Sequence, residues 1–285
     1  MSLTQEQTKF WQDNGYLLLS NFYSKERIDT FNKFIDGLWR KRKKLNAKYV
    51  IDIFVETDKE KRVYFCDAPK NARHYPYKLN DLFLSSDIVR ELTAGNELAP
   101  ILSELLGGDL PMICNSLNFE FGSQQDYHFD TFYMPSPTEN KMIASWLALE
   151  DATQSNGPLT YYPGSHKIPA YKFSNGSTII VAEEMPAFKK YMDKEINERG
   201  LKAEILLANK GDLLIWHSQL YHGGSEILNK KKTRKSLVTH YFTREDFKDI
   251  DAPMINQNSC YMARNAQAVG YQYREHKSLL QRVFR

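Results

Sequence analysis

Apolar residues in the first third of the chain recur at helical spacing. Over residues 4–14 they fall near helical spacing until Gly15 interrupts them, and residues 16–19 follow as a short apolar run of strand type. Ser24 is placed to cap a longer helix, with Ile28, Phe31, Phe34, Ile35 and Leu38 spaced to line one face. That helix runs into Arg40, Lys41, Arg42, Lys43 and Lys44. Cations suit a helix C-terminus, whose free carbonyls carry partial negative charge, so the run reads first as a solvated end. Residues 85–106 read as helix in two pieces around Gly95, ended by Gly107-Gly108.

The period changes from Pro111 onward. Short β-prone runs occupy residues 112–121, 142–149, 179–182, 204–208, 213–216 and 236–242. Turn clusters separate them at residues 154–158, 163–165, 174–176 and 210–212. Residues 186–199 read as a helical insertion, and the polar, aromatic tail over 251–285 has too weak a period to assign. Many short strands joined by turns predict a sandwich or barrel, so the chain is expected to be mainly β with flanking helices.

Composition narrows the function classes. Of 285 residues, 42% are hydrophobic and 26% charged, which suits a packed globular core and excludes a disordered chain. A net charge of +3 gives no reason to expect a nucleic-acid or membrane partner. No apolar run nears the roughly 20 residues of a membrane-spanning helix, and residues 1–15 lack the apolar stretch of a secretory signal. Cys66, Cys114 and Cys260 form no close pair, as expected of a cytoplasmic protein.

Three local patterns carry chemistry. In His128-Phe129-Asp130, residues two apart on an extended chain point to one side. An imidazole and a carboxylate aimed at one point are two legs of a two-histidine, one-carboxylate site, which suits Fe(II) and leaves positions open. Tyr221-His222-Gly223-Gly224 offers a second histidine beside glycines that permit close backbone approach, while His217, five residues earlier, competes for the role. Arg234 leads the last β-prone run and presents a fork for a carboxylate, although Lys230, Lys231, Lys232 and Lys235 around it suggest a surface charge.

In this order the patterns resemble the phytanoyl-CoA dioxygenase family of Fe(II)/2-oxoglutarate oxygenases. The resemblance runs through residues 24–44, the segment 125–130, the strand and turn at 146–153 and 156–159, and Pro163-Gly164-Ser165-His166. It continues through Gly211-Asp212 and residues 216–224 to Arg234. It implies one domain over 1–285 with a double-stranded β-helix, a jelly-roll barrel of cupin-like type. Residues 1–110 would be mostly helical, 111–245 the barrel core, and 251–285 a tail. It further implies His128, Asp130 and His222 as iron ligands and Arg234 as the anchor of 2-oxoglutarate. Trp146 would contact cosubstrate or line the pocket. Many members carry serine where this chain has Gly224.

Asn118 and Gln125 flank the first metal segment and stand as further cosubstrate contacts, with purely structural roles as the alternative. His166 is expected at the pocket rim, His217 as a packing residue, and Asp212 as a turn residue satisfying backbone donors. Arg73 and His74 are expected at the surface, with contact to an anionic substrate as the alternative. The implied reaction hydroxylates a small molecule with Fe(II), 2-oxoglutarate and O2, releasing succinate and CO2. A non-hydroxylating metal-binding barrel and an anion-binding module built on Arg40 to Lys44 are the alternatives. Residues 49–78 and 169–200 are expected as variable loops that select substrate.

Overall fold

The computed structural model describes residues 2–45, 49–56 and 59–269. Helix α1 (Gln5–Asn14) opens on a reciprocal cap, in which Thr4 Oγ1 accepts the Gln7 N–H at 3.1 Å and Gln7 Oε1 accepts the Thr4 N–H at 2.9 Å. Gly15, at φ 75°, ends it. Ser24 caps α2 (Lys25–Lys41), which buries Ile28, Phe31, Ile35, Leu38 and Trp39 on one face. The expected break at Gly95 separates α3 (Asp87–Ala94) from α4 (Ala99–Leu105), and α5 (Met185–Arg199) is the expected insertion.

The strands are β1 (Tyr16–Leu19), β2 (Val50–Glu56), β3 (Lys59–Tyr64), β4 (Tyr77–Asn80), β5 (Pro111–Phe119), β6 (Met142–Ala148) and β7 (Leu159–Tyr161). They continue as β8 (Glu204–Ile205), β9 (Leu213–His217), β10 (His222–Gly224), β11 (Ser236–Thr243), β12 (Met254–Asn256) and β13 (Ser259–Tyr261). A major sheet runs in the order β1-β9-β6-β11-β5-β4-β2-β3, and a minor sheet runs β10-β7-β8. Both are antiparallel except where β13 lies parallel to one end of β5. Together they form the double-stranded β-helix expected of the chain, with α2, α3 and α4 in one core and α5 packed separately against Phe129 and Phe132.

Register divides the major sheet into two faces. Leu147, Leu213, Leu237 and Leu79 stand in line across neighbouring strands and join the core packed against α2, with Ile28, Phe31 and Ile35. Their neighbours in sequence, Trp146, Leu214 and Val238, face the minor sheet instead, where Trp216, Tyr16 and Tyr161 complete a second core. The functional site sits on this inner face.

Three expectations change. The segment 49–78 is not a loop: it holds β2, β3 and β4 and widens the major sheet, so the N-terminal part contributes strands as well as helices. Its charges hid this pattern, because Asp52 is fully buried in β2 with a two-pronged bond from Arg62 at 2.6 and 2.7 Å. No strand forms at 179–182; Ile180 instead packs among Phe132, Phe173 and Phe188, its N–H reaching Phe132 O at 3.3 Å. The run at 204–208 pairs only over β8 and at the single bridge of Ala208 with Ala152. The tail supplies β12 and β13; residues 270–285 lie outside the described residues.

Candidate active site

His128 and His222 face each other across a single antiparallel bridge. The His128 N–H donates to His222 O at 2.8 Å, and the His222 N–H donates to His128 O at 3.1 Å. Phe129 is extended, which turns Asp130 to the same side as His128 before a one-turn helix begins at Asp130. Both histidine Nε2 atoms therefore approach Asp130 Oδ1, His128 at 3.9 Å and His222 at 3.7 Å. One ligand atom from each of the three residues lies within 4.8 Å of the others, and all three residues are buried.

The protons are placed for metal binding. His128 Nδ1 donates to Asp126 O at 2.8 Å and His222 Nδ1 donates to Leu220 O at 2.9 Å. A carbonyl only accepts, so each Nδ1 carries a proton, and Nε2 is the atom left to bind a metal when the ring is neutral. Burial, followed by the neighbouring His222, pulls the His128 pKa down to about 3, so it is neutral at physiological pH. Burial opposes ionisation of Asp130, but the facing His222 and His240 outweigh it and hold the carboxyl below its usual range. Trp216 Nε1 donates to Asp130 Oδ2 at 2.8 Å, which leaves Oδ1 turned toward the two rings.

Arg234 is a built part of the interior and not a surface charge. It is 3% exposed, with its guanidinium 5.6 Å from the centroid of the Trp146 ring. Nη1 donates to Gly157 O at 2.9 Å, while the backbone N–H donates to Glu120 O at 2.9 Å. The turn before β7 holds this position. Asn156 Nδ2 reaches Asp151 O at 3.1 Å and Thr233 O at 2.9 Å, tying the turn to the residue preceding Arg234. Burial draws the Arg234 pKa down to about 10, which still leaves a full cation at neutral pH. Its Nε and the Trp146 Nε1 are buried without a hydrogen-bond partner among the described residues. A buried guanidinium with an unmet donor on its fork fits a carboxylate.

The model of the phytanoyl-CoA dioxygenase family matches residues 11–236 of the chain. The chain belongs to that family. Phytanoyl-CoA dioxygenase 1 of Oryza sativa subsp. japonica is 27% identical over 279 residues, covering 86% of this chain and 90% of the relative. The peroxisomal phytanoyl-CoA dioxygenase of Bos taurus is 23% identical over 269 residues, covering 90% of this chain and 73% of the relative. Among solved structures, the alpha-ketoglutarate-dependent carbocyclase SnoK superposes with a TM-score of 0.62 at 16% identity, covering 85% of this chain and 84% of its own. EctD from S. alaskensis, with 2-oxoglutarate and 5-hydroxyectoine, gives a TM-score of 0.59 at 16% identity, covering 99% and 87%. The protein is an Fe(II)- and 2-oxoglutarate-dependent dioxygenase; iron is its metal, and 2-oxoglutarate and O2 are its cosubstrates.

Family serine at position 224 is excluded by packing. A Cβ on Gly224 would lie 1.6 Å from Ser123 O, because the backbone of 123–125 runs directly against β10. The Gly224 N–H accordingly donates to Gln125 O at 2.9 Å.

Other sequence candidates are dispersed. Asn118 points to the helix-facing side of β5, in line with Leu237 and Leu79, and donates to Ser236 O at 3.3 Å. It lines a small cleft with Asp36, Arg73, Tyr77, Glu120 and Lys235, away from the triad. The Gln125 side chain is exposed at the rim, with Nε2 3.5 Å from the Tyr133 hydroxyl. Arg73 is not free at the surface: it grips Glu120 at 2.8 and 2.9 Å and also pairs with Asp36, whereas His74 is exposed as expected. His217 lies on the opposite face of β9 from Trp216, beside His166, and accepts the Gln219 N–H at 3.1 Å. Asp212 accepts from Asn21 and Asn209, the expected turn role. Arg40, Lys41, Lys43 and Lys44 are exposed.

One residue escaped the sequence reading. His240 Nε2 lies 3.6 Å from Asp130 Oδ1, and its Nδ1 lies 3.4 Å from Asn115 Nδ2. Its only sequence signal is parity, two places beyond Val238 on the face of Trp146.

Proposed function

We propose that His128, Asp130 and His222 hold the iron and that Arg234, beside Trp146, receives the distal carboxylate of 2-oxoglutarate. The reaction proposed is hydroxylation of a small molecule at a carbon–hydrogen bond. The observation that carries this reading is the convergence of two Nε2 lone pairs and one carboxylate, with both Nδ1 protons committed to backbone carbonyls.

When bound, iron would activate O2 and relay to it two electrons from the decarboxylation of 2-oxoglutarate, which leaves as succinate and CO2, and two from the substrate carbon–hydrogen bond, which gains one oxygen atom. The chain's own residues set the geometry. Trp216 fixes the Asp130 carboxylate so that one oxygen faces the metal position. The Arg234 fork selects a dicarboxylic 2-oxo acid over a monocarboxylic one, because only the former has a second carboxylate to fill it. Phe129, Phe132, Phe188 and Tyr221 pack behind the first metal segment and keep water from that side. Asp130 retains the carboxylate that a halogenating site would give up to make room for halide, which favours hydroxylation.

A cytoplasmic location is part of the proposal, supported by three free thiols, two of them buried; the phytanoyl-CoA dioxygenases of Bos taurus and Homo sapiens that the chain resembles carry peroxisomal names. Among the described residues no helix is long and apolar enough to cross a membrane. The test is succinate release from 2-oxoglutarate by purified protein supplied with Fe(II) and air, across a small-molecule panel. Release that requires both iron and O2, with 18O from O2 in the product, is expected. Failure to form succinate with every compound would return the chain to the scaffold reading.

A further inference from the structure

The inner face of the major sheet carries polar side chains beyond the triad. Asn115 is in register with His240, and Asn80 with Leu117, so both asparagines face the side of Trp146 and Trp216. They form a row leading from the metal position. His240 lies beside Asp130, Asn115 Nδ2 donates toward His240 Nδ1, and Asn80 stands diagonally across on β4.

Both amides are deeply buried, at 3% exposure for Asn80 and 5% for Asn115. Among the described residues neither Oδ1 nor Nδ2 of Asn80 has a hydrogen-bond partner, and Asn115 Oδ1 has none. Buried amide atoms are nearly always satisfied, so three unmet ones on adjoining strands beside a reaction centre call for partners that the chain itself does not supply. The backbone here is also held in place. Asp81, directly after Asn80, sits at φ 55°, a left-handed conformation that Asp adopts more readily than most residues. The tail ties it down: Arg264 Nη2 pairs with Asp81 Oδ1 at 2.8 Å and donates to Cys114 O at 3.0 Å, while Gln267 Nε2 reaches Asp81 Oδ2 at 3.2 Å.

We propose that Asn80 and Asn115 form the subsite that reads a neutral hydrogen-bonding group of the substrate, a carboxamide or a hydroxyl. The proposal rests on the oxygenase reading above. The unmet atoms are one donor and two acceptors, so the matching group must both donate and accept. A carboxylate only accepts and would leave both Oδ1 atoms unmet. Lys78, the next residue on this face of β4, faces Asp52 at 3.4 Å, so a counter-charge already stands beside it.

Asn80→Leu keeps the branched side-chain shape, with some added bulk, and removes the unmet amide. In the protein without small molecules it is expected to raise the melting midpoint by about 2 °C, since an unsatisfied buried group disappears. In anaerobic protein loaded with Fe(II) and 2-oxoglutarate, hexanamide is expected to raise the wild-type midpoint and hexanoate to leave it unchanged. Asn80→Leu, and Asn80→Ala, which adds no bulk, should both lose the hexanamide response. Their affinity for 2-oxoglutarate, read from the charge-transfer absorption of the iron complex, should stay within twofold. A lower midpoint in both variants would mean that the amide is already bonded within the protein and would overturn the proposal. So would a stronger response to hexanoate, or none to hexanamide, in wild type. Weakened 2-oxoglutarate binding in the variants would also overturn it, by moving the asparagines to the cosubstrate. Absence of the absorption band in wild type is a different failure, that of the oxygenase reading itself.

Discussion

Trp216 shows how much of the site's geometry rests on residues outside the triad. Its N–H is the hydrogen bond that decides which Asp130 oxygen faces the two histidines. Trp216→Phe keeps an aromatic plug and loses that bond. Iron affinity is expected to fall by about 10–100-fold, the usual cost of losing such a supporting contact, with circular dichroism unchanged. Unaltered affinity, measured by competition with a chelator, would show that the carboxylate orients itself. Gly224 poses the opposite question, because there the family's serine is missing. Gly224→Ser is expected to cost about 1–3 kcal/mol of stability in denaturant unfolding, as overpacking does, because Ser123 O occupies the space a side chain needs. A neutral result would show that β10 can shift. The grouping of His128, Asp130 and His222 was legible because each sits in a short motif and the motifs come in order, whereas Arg234 among its lysines read locally as a surface charge and stood out only through the resemblance. His240 was not legible, since it belongs to no motif and only strand parity with Val238 turns it toward Asp130. Asn118 failed for a related reason: strand parity decides the face, and no local motif reports parity.

At the scale of elements, periodicity recovered what packs on one side and missed what is charged yet buried. Helix α2 and the apolar strands β6 and β9 matched closely, because one apolar stripe or run faces a core. Strands β2 to β4 were read as a loop because Asp52, Arg62 and Lys78 interrupt the alternation, and only their mutual pairing makes a strand of them. The reverse error, at 179–182, came from β-branched residues that pack as a coil against aromatics. Helix α1 meets the sheet over His217, with the Trp11 ring 6.3 Å and the His166 ring 5.5 Å away. Burial, then the neighbouring His166, draws the His217 pKa down to about 4. The unfolded chain, near 6.5, therefore binds more protons than the folded one between these values. That stability is present above pH 6.5 and is lost as pH falls toward 4. Between pH 7 and pH 5 the loss should be about 1–2 kcal/mol. His217→Asn, which keeps an acceptor for the Gln219 N–H, should flatten this dependence in thermal melts. An equally steep profile in the variant would assign the acid sensitivity elsewhere.

For the whole molecule, the fold explains why motifs so far apart in the sequence act together. His128 and His222 meet through one backbone bridge, Arg234 enters just before the strand that lies between β5 and β6, and the tail returns to brace the end of β4. The family and the reaction type were readable from the ordered motifs; the brace was not, because it depends on one arginine in a tail without periodicity. The central claim is that one buried site binds Fe(II) through the triad and 2-oxoglutarate through Arg234. Titrating 2-oxoglutarate into anaerobic Fe(II) protein, and following the charge-transfer absorption of the chelate, tests both halves at once. Wild type should show a saturable band and His222→Ala none. Arg234→Lys and then Arg234→Met should need progressively more 2-oxoglutarate, with Met losing on the order of 1.5–3 kcal/mol. No band in wild type, or equal affinity in wild type and Arg234→Met, would contradict the account.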